Sequence, residues 1–320
     1  MYREKKIALV IPAYREEKLI RATLLQIPAL FDKIYVVDDC SPDQQNAVVL
    51  EIAKTDRRVN LLKHSHNTGP GGGIITGYLQ ADSDANDIVV VIGGDHQMDL
   101  AQVQSFLDPI VENQADYTKG NRFLLKEIAE TMRLMPRVRL FGNLLLTALT
   151  KIASGYYKVM DVVDGYTAIS RRAIQEINWK LAWKGYGYPM DFLVRLNAYG
   201  LRVKDVPRTA IYTPGERQSQ IKGFRYAMKV SPMLLRDFFW RLRFKYIYRD
   251  FHPLVFFYYF SILMIPTGIF LGLYLVWDKI FAAGTAVTGP RAIFIALILI
   301  SGFQFLFFAM LFDMEESNQR

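Results

Sequence analysis

A single cysteine, Cys40, stands among 320 residues, so an internal disulfide is excluded and a reducing compartment suits the chain. Histidine is nearly as scarce, with four in all. His64 and His66 would share one face of a strand and His96 could join them, but no fourth ligand for a closed zinc site is evident. Repeats and low-complexity tracts are missing. Nor does the N-terminus read as a signal peptide, because the apolar run 7–13 is short and meets Tyr14-Arg15-Glu16-Glu17 at once. The most telling absence is of charge. Residues 254–277, 24 in a row, carry none, and neither do the 21 residues 292–312. About 20 apolar residues cross a bilayer as a helix, so both stretches are expected to span one. With 51% hydrophobic and 22% charged residues the chain is too apolar for disorder.

The charge that is present has an address. Net charge is +8, and residues 223–254 hold seven Lys/Arg against Asp237 and Asp250, a surplus of five. A basic patch beside a span faces the cytoplasm by the positive-inside rule. The patch is interleaved with Phe, Trp and Tyr, so anionic headgroups fit it better than nucleic acid does. The expected organisation is a cytoplasmic head 1–222, juxtamembrane amphipathic helices 223–253, spans 254–277 and 292–312 joined by the short loop 278–291, and a cytoplasmic tail 313–320. The protein would then be a multi-pass inner- or plasma-membrane protein.

Within the head, strand-like runs 7–11, 34–37, 59–62 and 88–92 alternate with helical stretches 16 to about 30, 44–54, 73–81 and 100–112. This order predicts an α/β fold with an open, mostly parallel sheet flanked by helices. Ligands of such sheets bind beyond the carboxyl ends of the strands. Those ends carry Pro12-Ala13-Tyr14-Arg15-Glu16, then Asp38-Asp39-Cys40-Ser41, then Asn67-Thr68-Gly69-Pro70-Gly71-Gly72, and lastly Gly93-Gly94-Asp95-His96-Gln97. Asp43 and Asp99 read equally as helix N-caps. Ile74 stands where a dinucleotide fingerprint needs its third glycine, and no Lys-Ser/Thr pair follows for a phosphate loop. What is left is a glycine turn that lets backbone approach a ligand closely.

These motifs, in this order and together with Lys119-Gly120-Asn121-Arg122, resemble the inverting GT-A nucleotide-sugar transferases of family two. Arg139-x-x-Gly142-Asn143, Asp161-x-x-x-Gly165-Tyr166 and Glu216-Arg217-x-Ser219 are similar to the polyprenyl- and dolichyl-phosphate sugar synthases within it. The resemblance spans about residues 7–222 and implies a Rossmann-like GT-A fold. It implies that Pro12, Tyr14, Glu16 and Asp39, with the turn at Gly69 and Gly71, hold a nucleotide-sugar, a UDP-sugar by preference. It also implies Mg²⁺ or Mn²⁺ at Asp95 and Gln97. The family usually has Asp-x-Asp there, and Gly93 takes the first place, which motivates the rival reading of a catalytically silent sugar-nucleotide-binding protein.

The implied acceptor is a polyprenyl phosphate, undecaprenyl or dolichyl. A phosphate monoester is mostly dianionic at neutral pH and already nucleophilic. Its difficulty is repulsion by the donor diphosphate, which Arg122 and Arg139 would relieve, with Arg217, Ser219 and Lys222 as further acceptor contacts. Asp161 would orient the sugar or accept a residual proton, or would be a structural carboxylate paired with an arginine. A lipid hydroxyl acceptor, the alternative, would need Asp161 as a true base. One sugar is expected to move per acceptor, since the Gln-x-x-Arg-Trp of processive relatives is missing. Residues 137–154 put Asn143, Thr147, Thr150, Lys151 and Ser154 on a narrow polar stripe, which suits a helix lying in the membrane interface or one packed in the core. Small residues Ser261, Gly268, Gly272 and Gly302 would let the hairpin pack against copies of itself as a homo-oligomer.

Overall fold

Short β-branched runs set the sheet. The computed structural model describes residues 1–94, 98–123, 137–209, 223–281 and 289–318. Its strands are β1 (Ile7–Ala13), β2 (Lys33–Asp38), β3 (Val59–Lys63), β4 (Ile88–Val91), β5 (Tyr117–Asn121), β6 (Thr167–Ser170) and β7 (Val203–Pro207). They form one sheet in the order β3-β2-β1-β4-β6-β5-β7. Neighbours are parallel except at β6, which runs antiparallel to β4 and β5. The mostly parallel α/β sheet expected from the alternation is therefore present. β1 and β4 are covered on both faces, which is why they read as unbroken apolar runs. Strand order reverses between β1 and β4, so a crevice opens at their carboxyl ends.

The first helix is shorter than its apolar pattern predicts. Helix α1 covers Ile20–Leu25 only, preceded by a turn in which Leu19 and Ile20 donate to the Glu16 carbonyl. Arg15 enters that turn at φ +61°, and Pro28 disfavours helix at the residue before it. Helices α2 (Gln45–Thr55) and α3 (Pro70–Ser83) lie where expected. The stretch from 100 divides into a 3₁₀ turn, Leu100–Gln102, and α4 (Val103–Val111). Asp99 caps that turn, accepting from Ala101 N at 2.9 Å.

Among the described residues four further α-helices precede the hairpin: α5 (Arg137–Ser154), α6 (Arg171–Glu176), α7 (Tyr188–Ala198) and α8 (Gly223–Arg243). On α5 the polar stripe turns inward. Thr150 and Ser154 are fully buried and Thr147 nearly so, while Leu144 (50% exposed) and Leu145 (46%) face out. Leu146 and Ala153 are buried beside those polar side chains, so the inward face mixes apolar and polar residues. Met228 and Leu235 on α8 are likewise exposed.

The chain divides into two compact units, Met1–Phe238 and Phe239–Arg320. In the second, a π-helical turn, Phe244–Arg249, leads to α9 (Leu254–Phe281) and α10 (Gly289–Asn318). Both helices are long and apolar enough to cross a membrane. They outrun the uncharged stretches, continuing through Asp278 and Lys279 on one side and Asp313 to Glu316 on the other. The two limbs pack closely. A Cβ on Gly268 would lie 2.7 Å from Leu299 Cδ2, and one on Gly302 would lie 2.9 Å from Ile265 Cγ1. The glycines expected to join copies therefore join the hairpin's own limbs, and Ser261 donates to the Tyr258 carbonyl within α9. Arg241 grips Asp313 with two bonds of 2.8 Å, both side chains fully buried, and the hydroxyls of Tyr246 and Tyr258 donate to the same carboxylate.

Candidate active site

The ends of β1, β2 and β3 place one half of the site. Register pairs Pro12 with Val37 and Ala13 with Asp38, so Tyr14 and Asp39 leave adjacent strands together. Asp39 is buried and accepts from Thr68 N (2.7 Å), Thr68 Oγ1 (2.9 Å) and Gly69 N (2.7 Å), and contacts His64 Nδ1 (2.8 Å). Burial opposes its charge, but those partners outweigh burial and hold the carboxyl below the usual carboxylate range. His64 Nε2 in turn meets Thr76 Oγ1 at 2.8 Å. Both ring nitrogens are thus engaged, which removes His64 from a zinc reading. Among the described residues no group of His, Cys, Asp or Glu is arranged to hold a metal ion. Asp38 acts locally, accepting from Gln45 Nε2, Asn46 Nδ2 and Ser41 N.

The glycine turn approaches protein as well as solvent. Gly69 sits at φ +90°, the left-handed region that favours glycine. A Cβ on Gly71 would lie 2.7 Å from the Trp183 carbonyl and from Tyr188 Cβ, and Gly72 N donates to the Lys184 carbonyl at 3.2 Å. So the close approach read from the sequence is made to residues 183–188. Pro12 packs beneath the turn, 3.1 Å from a Cβ position on Gly73. Tyr14 is more than a third exposed under the Arg15 guanidinium, and Glu16 packs its Cγ 3.3 Å from a Cβ position on Gly94. The predicted nucleotide residues Pro12, Tyr14, Glu16, Asp39, Gly69 and Gly71 therefore line one rim.

The other half stands at the ends of β5 and β7 and the start of β6. Arg122 donates to Asp161 through Nε and Nη2, both at 2.6 Å, and through its backbone N–H at 3.1 Å. Burial alone would raise the Asp161 carboxyl, but Arg122 and then Lys119 outweigh it and keep it below the usual range. Asp161 adopts φ +47°, a conformation rare outside glycine. It is fixed from behind: Lys119 Nζ donates to the Met160 carbonyl (2.6 Å), and Asp205 accepts from Met160 N (2.7 Å) and Asn121 Nδ2 (2.6 Å). Asp164 accepts from Arg208 Nε (2.7 Å) and lies 3.5 Å from Arg122 Nε.

Asp161 and Arg122 are thus brought together. Arg139 lies on α5, and its side chain is outside the described residues, as are Asp95, His96, Gln97, Arg217, Ser219 and Lys222. Sequence reasoning passed over Asp164, Asp205 and Arg208, and saw His64 only as a zinc candidate. Arg208 follows β7, whose charged sequence Val-Lys-Asp-Val-Pro gives no strand signal. His64 had a usable one: it directly follows β3, at the rim where ligands bind.

The profile described as "Glycosyl transferase family 2" matches residues 8–177. The UDP-N-acetylglucosamine–dolichyl-phosphate N-acetylglucosaminyltransferase of Methanococcus voltae is 30% identical over 223 residues, 66% of this chain and 87% of that one. The undecaprenyl-phosphate mannosyltransferase of Micrococcus luteus is 27% identical over 219 residues, 64% of this chain and 84% of that one. Among solved structures, glucosyl-3-phosphoglycerate synthase of Mycobacterium tuberculosis, in complex with Mn²⁺, UDP-glucose and phosphoglyceric acid, superposes with a TM-score of 0.52. The match is 17% identical and covers 74% of this chain and 80% of that one, a likeness of fold.

Proposed function

The chain belongs to glycosyl transferase family 2, and on that footing we propose that it moves one sugar from a nucleotide-sugar to a membrane polyprenyl phosphate. Lipid-linked sugar made this way serves cell-envelope glycan assembly or protein glycosylation. The observation that carries the acceptor class is the Asp161–Arg122 pair. A hydroxyl acceptor needs a base, and a carboxylate held in two 2.6 Å bonds to a guanidinium, with its pKa lowered, is a poor one. A phosphate dianion needs none, and an oriented guanidinium suits it. The named relatives, which act on dolichyl and undecaprenyl phosphates, support the same acceptor.

In this reading the phosphate oxygen attacks the anomeric carbon from the face opposite the leaving group. A C–O bond to the acceptor phosphate forms, the bond to the donor diphosphate breaks, and configuration inverts. Arg122 and Arg139 hold the acceptor against the donor's charge, and Arg217, Ser219 and Lys222 add weaker contacts. Asp161 serves as the positioning residue of Arg122. Pro12, Tyr14, Glu16 and Asp39 seat the nucleoside, a uridine by preference. Asp95 and Gln97 would hold Mg²⁺ or Mn²⁺ with diphosphate oxygens and water completing the shell, a donor set hard cations accept. Bound there, such an ion would supply positive charge for the departing nucleoside diphosphate.

The outward leucines of α5 and the exposed apolar residues of α8 support seating against a bilayer interface, with α9 and α10 as the membrane hairpin and the head in the cytoplasm. The Arg241–Asp313 pair supports both hairpin ends lying on one side. A homo-oligomer would use limb faces other than the glycine contact. Purified protein given undecaprenyl or dolichyl phosphate, Mn²⁺ and a panel of UDP- and GDP-sugars is expected to form a lipid-linked monosaccharide from one donor. Transfer to water alone under every condition would sink the proposal.

A further inference from the structure

Two buried donors at the β5–β6–β7 rim have no partner. Arg208 is 6% exposed and its Nε is spent on Asp164, yet its Nη1 is buried without a hydrogen bond. Tyr166 is 0% exposed, its ring stacked on Phe106 with centroids 4.1 Å apart, and its hydroxyl is equally unsatisfied. A buried donor left unpaired is costly, and folded proteins keep few of them. Both have been built in with care. Tyr166 N–H donates to Asp164 Oδ1 at 2.8 Å while Arg208 takes Oδ2, so one carboxylate orients both residues. Gly120 makes room between them, since a Cβ there would lie 2.7 Å from Asp164 Oδ1 and 2.8 Å from Arg208 Cδ.

Topology places these donors beside the reacting groups. Asn121 is in register with Pro207, so Arg122 and Arg208 leave parallel strands side by side, and Arg208 N donates to the Asn121 carbonyl at 3.2 Å. Val91 is in register with Thr167, so Tyr166 enters β6 where β4 ends. Both arginines address Asp164, at 2.7 Å and 3.5 Å. The cations Lys119, Arg122 and Arg208 are balanced by Asp161, Asp164 and Asp205, so the charges are matched while the donors are not. What these two donors lack is an acceptor oxygen; the buried acceptor left unpaired in the same cluster, Asp205 Oδ1, lies 3.5 Å from Lys119 Nζ.

We propose that Arg208 and Tyr166 form an oxyanion subsite that takes a phosphate oxygen of a reactant through Arg208 Nη1 and the Tyr166 hydroxyl. This rests on the transferase reading, which supplies phosphate oxygens from two sources, the donor diphosphate and the acceptor monoester. In the sequence Tyr166 stands in the Asp161-x-x-x-Gly165-Tyr166 motif without an assigned role, and Arg208 stands in no motif. Tyr166 is a donor here because burial pushes its hydroxyl well above the ordinary tyrosine range, so it stays protonated.

Tyr166→Phe is the sharpest test, because it removes the hydroxyl and leaves the ring on Phe106. Full-length protein in detergent would be titrated calorimetrically with inorganic pyrophosphate plus Mn²⁺ and, separately, with farnesyl phosphate. Melting temperature without ligand would be read alongside. The subsite predicts an unliganded melting temperature equal to or above wild type, since an unmet hydroxyl is gone, and a dissociation constant raised about tenfold for one probe. Weakening confined to pyrophosphate assigns the oxygen to the donor, and weakening confined to farnesyl phosphate assigns it to the acceptor. Arg208→Lys, which keeps a cation for Asp164 but loses the planar fork, should weaken the same probe. Unchanged binding of both probes by both variants overturns the subsite, as does a lowered unliganded melting temperature with unchanged binding, the signature of an internal water. Failure of the wild-type protein to bind either probe would instead remove the transferase reading.

Discussion

Arg122 and Asp161 act as one group. Removing the charge of Asp161 leaves the Arg122 guanidinium with only Asp164, at 3.5 Å and shared with Arg208, and breaking a buried pair costs up to roughly 3–5 kcal/mol. Asp161→Asn should therefore lower the melting temperature as well as turnover. Asp161→Asn combined with Arg122→Gln should recover much of the stability and none of the turnover; thermal melts of the four proteins, read as a cycle, would show this. A double variant as unstable as the single one would remove the pairing argument. The sign of the pH effect follows from the lowered pKa values of Asp39 and Asp161. A carboxyl depressed in the folded state adds stability above its unfolded value, near 4, and that stability fades as pH falls through the folded value. Neither residue should make the fold pH-sensitive between 5 and 8. Asp39 and Arg122 were legible in sequence because they stand in motifs at strand ends. Their partners were less so: His64 follows a strand end and Lys119 stands in a motif, but the contacts they make, and Asp205 altogether, depend on where the fold puts them.

The glycine turn and helix α8 show how elements constrain the site. Gly71→Ala would push a methyl into the Trp183 carbonyl and Tyr188 Cβ, each 2.7 Å away. Overpacking of this kind costs about 1–3 kcal/mol. The segment 183–188 must then shift and drag the turn that holds Asp39, so nucleotide affinity should fall along with melting temperature. Unaltered UDP binding by Gly71→Ala would show that the turn and the nucleotide pocket are independent. On α8, burial and then the neighbouring Asp191 carboxylate push the Asp237 carboxyl up to about 6, although Arg236 donates to it. Arg195 holds Asp191, and Arg236 reaches it at 3.9 Å. A raised folded pKa means the folded protein binds the proton more tightly. Stability is therefore lost as pH rises from about 4 to about 6 and stays reduced above that. Asp237→Asn should raise the melting temperature at pH 7.5 relative to wild type, by more than it does at pH 5. An equal effect at both would contradict the assignment.

At this scale the sequence was readable for long periodic elements and poor for short ones. The bounds of α5 follow directly from its stripe, but which face turns inward does not. Pattern alone cannot say that Thr150 and Ser154 are buried while Leu144 faces out. β6 and β7 are four and five residues long, and β7 carries two charges, so neither stood out.

The whole molecule joins a GT-A unit to a pair of long apolar helices, α9 and α10. Within the hairpin unit, Asp313 accepts from Arg241, Tyr246 and Tyr258, all buried. Asp313→Ala strands that guanidinium and should destabilise the unit by roughly 3–5 kcal/mol. Asp313→Glu should retain part of it; limited proteolysis in detergent would report both, and indifference to Asp313→Ala would mean the ends of the hairpin are not tied. The central claim is the acceptor chemistry, and ³¹P NMR of the purified product tests it most directly. Protein incubated with its nucleotide-sugar and an equal mixture of polyprenyl phosphate and diacylglycerol should give a sugar-1-phosphodiester of the polyprenol, with one sugar and the donor's anomeric configuration inverted. A glycoside on the diacylglycerol hydroxyl, with the polyprenyl phosphomonoester resonance unchanged, would contradict the account.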